Sequence, residues 1–173
     1  VMNYANIKTC DIADGPGVRT ALFVSGCRHH CPGCFNAEAQ DFAYGQPFDK
    51  KTEDFLLKEL QKPYVSGLTL LGGEPFEPEN QRALLPFLRR VRQECPGKTV
   101  WAFSGYTWEE LTGESRARCE ATDELLPLVD VLVDGEFVAA KHDISLRFRG
   151  SSNQRLLDVA ASRAAGEPVW WKD

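Results

Sequence analysis

The sequence of 173 residues has no long apolar run and no block of like charges. A membrane-spanning helix needs about 20 consecutive apolar residues, and no run approaches that length. The net charge of −5 argues against a primary role in binding nucleic acid. Residues 1–4 do not form a basic segment followed by an apolar one, so no secretory signal is predicted. Together these absences favour a cytoplasmic protein.

Internal repeats, low-complexity tracts and obvious linkers are also missing from the sequence. A chain of 173 residues suits one domain, and folding would bury about two thirds of the surface of the unfolded chain. The hydrophobic fraction of 43% is ordinary for a globular protein. We therefore expect residues 1–173 to form a single domain.

The six cysteines are not spaced as in a secreted domain stabilised by disulfides. Cys27, Cys31 and Cys34 are bunched and the other three are far apart, which fits a reducing compartment. Three thiolates in one tight loop can wrap a compact cluster, and thiolates select zinc or iron–sulfur over hard cations. Sites with three protein ligands keep a position open for chemistry. We interpret the three cysteines as ligands of a four-iron cluster in which one iron lacks a cysteine.

A structural zinc site is the alternative interpretation of the same loop. Its fourth ligand would be a histidine or one of the distant cysteines Cys10, Cys95 and Cys119. Zinc loops usually pair Cys-x-x-Cys with a second such pair or with His-x-x-x-His, and neither companion exists in this sequence. His29 and His30 are interpreted as loop residues, one of which could tune the cluster by a hydrogen bond.

Four short apolar runs, rich in β-branched or aromatic residues and each ending at glycine, are predicted to be buried parallel strands. They are residues 21–26, 68–72, 100–105 and 129–135. Helical patterns lie between them, so we predict an α/β fold with a parallel sheet built from about four strand–helix units. The segment from Lys141 onward is polar and yields no assignment.

Three helices are predicted between these strands. Thr52 is predicted to cap the first helix, which should end near Pro63. The second contains Pro86, which is expected to bend the helix or delay its start. Thr107 and Glu110 form a capping box, which predicts a third helix directly after the threonine.

The loops after the four strands are expected to meet, because ligands of parallel α/β folds gather at the carboxyl edge of the sheet. These loops are the cysteine loop and residues 72–75, 104–106 and 134–136. Gly72 and Gly73 would let a ligand approach the main chain. Glu74 could accept a hydrogen bond from an ammonium group or orient neighbouring amides. An ordinary strand-to-helix turn explains this tetrapeptide equally well when it is taken alone.

The cysteine loop followed by Gly-Gly-Glu-Pro resembles the radical S-adenosylmethionine superfamily. More narrowly, several segments resemble, in the same order, the activating proteins of anaerobic ribonucleoside-triphosphate reductase, which are glycyl-radical enzyme activases. These segments are residues 14–19, 31–36, 104–106, 131–135 and 149–154. Many superfamily members have an aromatic residue just before the third cysteine. This chain has Gly33 there and Phe35 just after, as the activating-protein subgroup does.

The resemblance implies a partial, open β/α barrel of the radical S-adenosylmethionine type. Its cofactors would be a 4Fe-4S cluster and S-adenosylmethionine. The cluster ligands, which are also the catalytic centre, would be Cys27, Cys31 and Cys34, with no separate acid or base. The cofactor contacts would be Gly33, Cys34, Phe35, Gly72, Gly73 and Glu74.

The resemblance also implies a reaction and two partners. An electron from the cluster would split S-adenosylmethionine into methionine and a 5′-deoxyadenosyl radical, which would take hydrogen from a glycine of the large subunit of the reductase. A flavodoxin-type protein would supply electrons, and neither nucleic acid nor a membrane is expected as a partner. Three alternatives remain open: an activase of another glycyl-radical enzyme, a radical S-adenosylmethionine enzyme acting on a small molecule, and a non-catalytic zinc or iron–sulfur interaction module.

Overall fold

A seven-stranded mixed sheet forms the centre of the computed structural model, which describes residues 2–173. In chain order the strands are β1 (Asn3–Asp11), β2 (Val18–Val24), β3 (Gln46–Pro47), β4 (Val65–Gly72), β5 (Thr99–Phe103), β6 (Val131–Asp134) and β7 (Arg155–Asp158). Their order across the sheet is β3-β1-β2-β4-β5-β6-β7.

Helices lie between the central strands, and one more follows β7. They are α1 (Lys50–Leu60), α2 (Pro78–Glu94), α3 (Trp108–Thr112), α4 (Thr122–Leu125) and α5 (Val159–Ala165). Short 3-10 turns occur at Ala37–Gln40, Leu126–Leu128 and Ala139–Lys141. Within residues 2–173, none of the helices has the length and apolar character needed to cross a membrane.

The four central strands confirm the predicted α/β class. β2, β4, β5 and β6 are parallel neighbours, and each overlaps one of the four apolar runs. The prediction of a parallel sheet is wrong at both edges, because β1 runs antiparallel to β2 and β3, and β7 runs antiparallel to β6. β1 carries mostly half-buried or exposed side chains, so it lacks the continuous apolar run of a strand covered on both faces.

The two faces of the sheet have different neighbours. One face packs against α1 and α2 through a large apolar core that includes Leu56, Leu60, Leu84 and Leu88. The other carries a small cluster of Ala21, Phe23 and Leu71, with Phe103 packed beside it. The second face therefore remains available as the wall of a cavity.

The helix boundaries correct two predictions. Asp49, not Thr52, caps α1, because its carboxylate accepts a hydrogen bond from the Thr52 amide at 2.9 Å. α2 starts at Pro78 and continues through Pro86, so the predicted delay is wrong; burial of the apolar side chains around Pro86 offsets the lost hydrogen bond. The end of α1 ahead of Pro63 and the capping box of Thr107 and Glu110 are confirmed.

Arg19 is a fully buried charge near the start of β2. Its guanidinium donates five hydrogen bonds of 2.9 to 3.2 Å to neutral oxygens of Pro16, Leu68, Thr69 and Thr99. Burial lowers the pKa of Arg19 to about 10, so the side chain stays charged at neutral pH. Within residues 2–173, no carboxylate forms a salt bridge with it. The loop before β2, β4 and β5 are thus joined through one planar group.

Replacing Arg19 by lysine is expected to lower the free energy of unfolding by about 3 kcal/mol, because an ammonium group has three donors and cannot match the five acceptors arranged around a plane. Urea denaturation measures the change. The control is Arg89→Lys, whose exposed pair with Glu124 should contribute less than about 1 kcal/mol. An Arg19→Lys variant as stable as wild type would show that the five hydrogen bonds of Arg19 do not stabilise the fold.

Candidate functional site

A cavity of about 520 Å³ lies against Phe23, Leu71 and Phe103, on the side of the sheet away from α1 and α2. Each loop that follows a central strand contributes to its wall, as predicted. The contributing residues include Cys27, Cys31, Cys34, Gly72, Gly73, Glu74, Ser104, Gly105 and Gly135. The three bunched cysteines and the Gly-Gly-Glu segment therefore face the same space.

Two further segments that the strand pattern did not predict complete the wall. Lys8, Ala13 and Asp14 come from β1 and the loop after it, and a longer segment contributes Leu146, Phe148, Arg149, Gly150 and Gln154. The second segment belongs to the polar region that yielded no assignment from Lys141 onward. Its only signal in the sequence was the resemblance at residues 149–154.

The cysteine loop is closed at its base by main-chain hydrogen bonds. Gly26 N donates to Ala39 O at 2.7 Å, and Cys27 N donates to Gln40 O at 3.1 Å. A Cβ on Gly26 would lie 2.2 Å from the ring of Phe42, so only glycine fits this position. The loop therefore leaves the end of β2 and returns beside it, and the segment closed in this way contains all three cysteines.

The glycines after β4 pack against the cysteine loop and β2. A Cβ on Gly73 would lie 2.6 Å from the Ala39 carbonyl oxygen, and one on Gly72 would lie 2.7 Å from Val24 N. Glu74 N donates to Gly26 O at 2.8 Å. The absence of side chains at Gly72 and Gly73 thus brings the two loops together, in addition to leaving their main chain at the cavity wall.

All three clustered thiols are free, and the surroundings of Cys27 and Cys31 raise their pKa values. Burial raises the pKa of Cys27 to about 11, although the His29 and His30 amides donate to its sulfur. Burial, followed by a hydrogen bond to Glu136, raises the pKa of Cys31 to about 12; the sulfur lies 3.3 Å from Glu136 Oε2. The amide donors would stabilise a thiolate once a metal replaces the proton.

The donor set fits an iron–sulfur cluster better than a single ion. Within residues 2–173, no three His, Cys, Asp or Glu side chains are arranged around one metal ion, whereas the three thiolates of a four-iron cluster bind three different irons. Cys10, Cys95 and Cys119 are absent from the cavity wall, so the cysteines considered as a fourth zinc ligand do not lie at this site.

Glu74 is 1% exposed and accepts four hydrogen bonds from its own chain. Its Oε1 accepts from His29 Nε2 at 2.8 Å and from Gly105 N at 2.7 Å. Its Oε2 accepts from Ser104 Oγ and from Phe76 N, both at 2.8 Å. Burial alone would lower the pKa of His29, but the hydrogen bond and charge of Glu74 outweigh it and raise the pKa. Of the two roles considered for Glu74, the geometry favours the orientation of neighbouring groups.

Only two of residues 33–35, the stretch expected to contact the cofactor, line the cavity. Cys34 and Phe35 line the cavity, whereas Gly33 does not. Phe35 is 66% exposed and packs against the rings of Phe137 and His142, with centroids 4.8 and 5.5 Å away. Phe35 thus forms an aromatic edge where the cysteine loop meets the segment after β6.

Asp14, in the part of the cavity wall formed by the loop after β1, is a weaker acid than an ordinary aspartate. Burial, then the hydrogen bond and charge of Asp11, raise its pKa to about 7, while Lys8 acts in the opposite direction. The unfolded carboxyl has a pKa of about 3.9. The folded chain therefore holds an extra proton between these values, and stability falls as the pH rises from about 4 to about 7.

Replacing Asp14 by asparagine is expected to remove this decline and to raise the free energy of unfolding at pH 8 by about 1 kcal/mol, a value discounted for solvent screening. Urea denaturation at pH 5 and pH 8 tests this. Glu114→Gln, at an exposed position, should keep the decline of wild type. An Asp14→Asn variant with the same decline as wild type would show that Asp14 titrates normally.

Comparisons with known proteins identify the family to which the chain is similar. Residues 13–157 match the family model described as a 4Fe-4S single cluster domain. The chain is 46% identical over 155 residues to the anaerobic ribonucleoside-triphosphate reductase-activating protein of Pasteurella multocida, covering 88% of this chain and 95% of the relative. The Escherichia coli K12 protein of that name is 43% identical, with coverage of 88% and 96%. That of Enterobacteria phage T4 is 38% identical, with coverage of 90% and 93%.

Proposed function

The chain belongs to the family of anaerobic ribonucleoside-triphosphate reductase-activating proteins and has a 4Fe-4S cluster domain, and from this we propose that it activates the anaerobic reductase by radical chemistry. When bound and reduced, the cluster would supply the electron that splits S-adenosylmethionine into methionine and a 5′-deoxyadenosyl radical, which takes hydrogen from a glycine of the reductase large subunit. The observation that carries this proposal is the meeting of three free thiols with the Gly-Gly-Glu segment in one cavity.

We assign Cys27, Cys31 and Cys34 as the cluster ligands and the catalytic centre. Three cysteines leave one iron of a four-iron cluster open to a non-protein ligand, and we assign that position to the methionine end of S-adenosylmethionine. Hydrogen-atom abstraction needs no general base, so the chain's task is placement and the exclusion of competing reactions.

The other residues of the cavity would bind and orient the cofactor. Gly72 and Gly73 offer main-chain groups at the cavity wall, and Glu74 fixes the Gly105 amide and the His29 ring beside them. Cys34 and Phe35 also line the cavity. We assign to these two residues the cofactor contact that the sequence predicted for residues 33–35. Phe23, Leu71 and Phe103 make the wall along the sheet apolar, which limits water around a reactive intermediate.

We further propose that the sheet and its helices form an open barrel of the radical S-adenosylmethionine type, within one domain spanning residues 1–173. An open side would let a loop of the reductase reach the cofactor, and a closed eight-unit barrel of about 250 residues would not fit in this chain. A flavodoxin-type protein is the proposed electron donor. The bunched free cysteines suit the reducing cytoplasm, and no nucleic acid or membrane partner is proposed.

Anaerobic reconstitution followed by electron paramagnetic resonance tests the proposal. The chain should take up about four irons, cleave S-adenosylmethionine once reduced, and generate a glycyl radical on the large subunit of the anaerobic reductase. Cleavage without that radical would favour another glycyl-radical enzyme or a small molecule as the target. Stoichiometric zinc without cleavage would indicate a non-catalytic interaction module.

A further inference from the structure

Glu77 is a fully buried carboxylate that contacts the cysteine loop at Arg28, directly after its first cysteine. Its Oε2 accepts a hydrogen bond from the main-chain N–H of Arg28 at 2.6 Å. Its Oε1 accepts from the Tyr106 hydroxyl at 2.8 Å and lies 3.3 Å from Arg28 Nη1. Arg28 directly follows Cys27, so this carboxylate fixes the peptide group next to a proposed cluster ligand.

The position of Glu77 in the chain does not explain its burial. It precedes α2 as the N-cap residue, but its side chain makes no capping hydrogen bond, and the usual capping side chains are Ser, Thr, Asp and Asn. A buried carboxylate is costly unless its oxygens are paired. Here every partner lies in the cysteine loop or after β5, and none lies in α2 itself.

Tyr106 holds the same part of the loop from a second direction. Its ring packs against the ring of His29 with centroids 4.3 Å apart, and its hydroxyl both donates to Glu77 and accepts from Arg116 Nε at 2.9 Å. Arg28 and His29 are consecutive residues between Cys27 and Cys31. Glu77 and Tyr106 therefore restrain the main chain and a side chain of the same short segment.

We propose that Glu77, oriented by Tyr106, is a positioning residue that fixes the peptide between Cys27 and Arg28 and thereby aims the Cys27 thiol at the cluster. This inference rests on the proposed function, because it takes Cys27 as a cluster ligand. Partners that orient metal ligands typically change metal affinity or activity by about 10- to 100-fold when they are removed. Glu77 has a second effect, since a buried negative charge beside an iron–sulfur cluster favours its oxidised form.

The test compares wild type with Glu77→Gln and Tyr106→Phe after anaerobic reconstitution. In Glu77→Gln, the amide oxygen can still accept from the Arg28 N–H while the N–H₂ group faces the Tyr106 hydroxyl, but the charge is lost and the bond to Arg28 becomes a weaker, neutral one. We expect a chelator to remove the cluster from Glu77→Gln about tenfold faster than from wild type, as measured by the loss of visible absorption. We also expect the midpoint potential of the cluster to move in the positive direction. Tyr106→Phe keeps the charge, so it should accelerate cluster loss without the positive shift.

Glu79→Gln is the matched control because Glu79 pairs with the same arginine side chain at an exposed position and does not touch the Arg28 main chain. It should keep the wild-type rate of cluster loss and the wild-type potential. Circular dichroism of each variant before reconstitution establishes that it is folded. Should Glu77→Gln fail to fold, Tyr106→Phe tests the positioning role alone.

The possible outcomes separate this inference from the proposed function. If wild type binds the cluster and cleaves S-adenosylmethionine while the folded Glu77→Gln and Tyr106→Phe variants match it in cluster loss and potential, the positioning role is overturned and the proposed function stands. If Glu79→Gln loses its cluster as fast as Glu77→Gln, the Arg28 side chain is responsible, which also overturns the inference. If wild type binds no iron–sulfur cluster, the proposed function fails first.

Discussion

Replacing any one of Cys27, Cys31 and Cys34 by alanine is expected to abolish reductive cleavage of S-adenosylmethionine. Each thiolate would bind a different iron, so none of the remaining side chains can substitute for a missing one. Removing a partner that only orients a ligand costs up to about 100-fold, and removal of a ligand should cost more. Iron content, the cluster signal in electron paramagnetic resonance and the yield of 5′-deoxyadenosine should fall together in all three variants.

Cys95→Ala is the matched control for these three variants. Cys95 is buried, its sulfur lies 3.7 Å from the Leu57 carbonyl oxygen, and it is absent from the cavity wall. The variant should lose about 1 kcal/mol of stability from the small void while keeping its iron and its activity. A Cys31→Ala variant that still binds four irons and cleaves S-adenosylmethionine would remove the basis of the assigned ligand set.

The central strands could be predicted from the sequence because burial on both faces leaves a continuous apolar run. β4 and β6 are buried along nearly their whole length. β7 has two buried residues, Leu156 and Leu157, in a polar segment, and that pattern is too short to distinguish a strand from a turn. The antiparallel edges depend on pairing with a neighbouring strand, which a local pattern does not encode.

In the candidate site, too, features set by neighbouring residues could be predicted, whereas contacts between residues far apart in the chain could not. Cysteine spacing is local, and the convergence of loops follows from the strand order, so both could be predicted. The partners of Glu74 and Glu77 could not, because His29 is 45 residues from Glu74 and Arg28 is 49 residues from Glu77. Nothing near Glu77 in the sequence distinguishes it from the half-buried Glu79.

The structure also favours one of the two roles considered for Glu74, and Glu74→Gln is the second substitution with a large expected effect. A glutamine has the same shape, but its amide nitrogen donates where a carboxylate oxygen accepted. The His29 ring can move its proton and accept, and the Ser104 hydroxyl can rotate. The amides of Gly105 and Phe76 can only donate, so in either orientation one buried N–H loses its partner.

An unpaired buried donor, together with the loss of hydrogen bonds to a charged acceptor, is expected to lower the free energy of unfolding by about 3 kcal/mol. Urea denaturation of the chain without its cluster measures this loss. Glu124→Gln, in which an exposed pair with Arg89 is removed, should cost less than about 1 kcal/mol. S-adenosylmethionine cleavage should also fall in the Glu74 variant, because the Gly105 amide and the His29 ring lose the group that orients them.

Stability and cofactor binding together distinguish the two roles considered for Glu74. If the carboxylate orients its neighbours, Glu74→Gln should lose stability before any cofactor is added, and the weaker binding of S-adenosylmethionine should follow from the displaced loop. If instead the carboxylate accepts directly from the ammonium group of the cofactor, the variant should be as stable as wild type and weakened only in binding. The four hydrogen bonds already made by the buried carboxylate predict the first outcome, and the second would require one of those donors to move away when the cofactor binds.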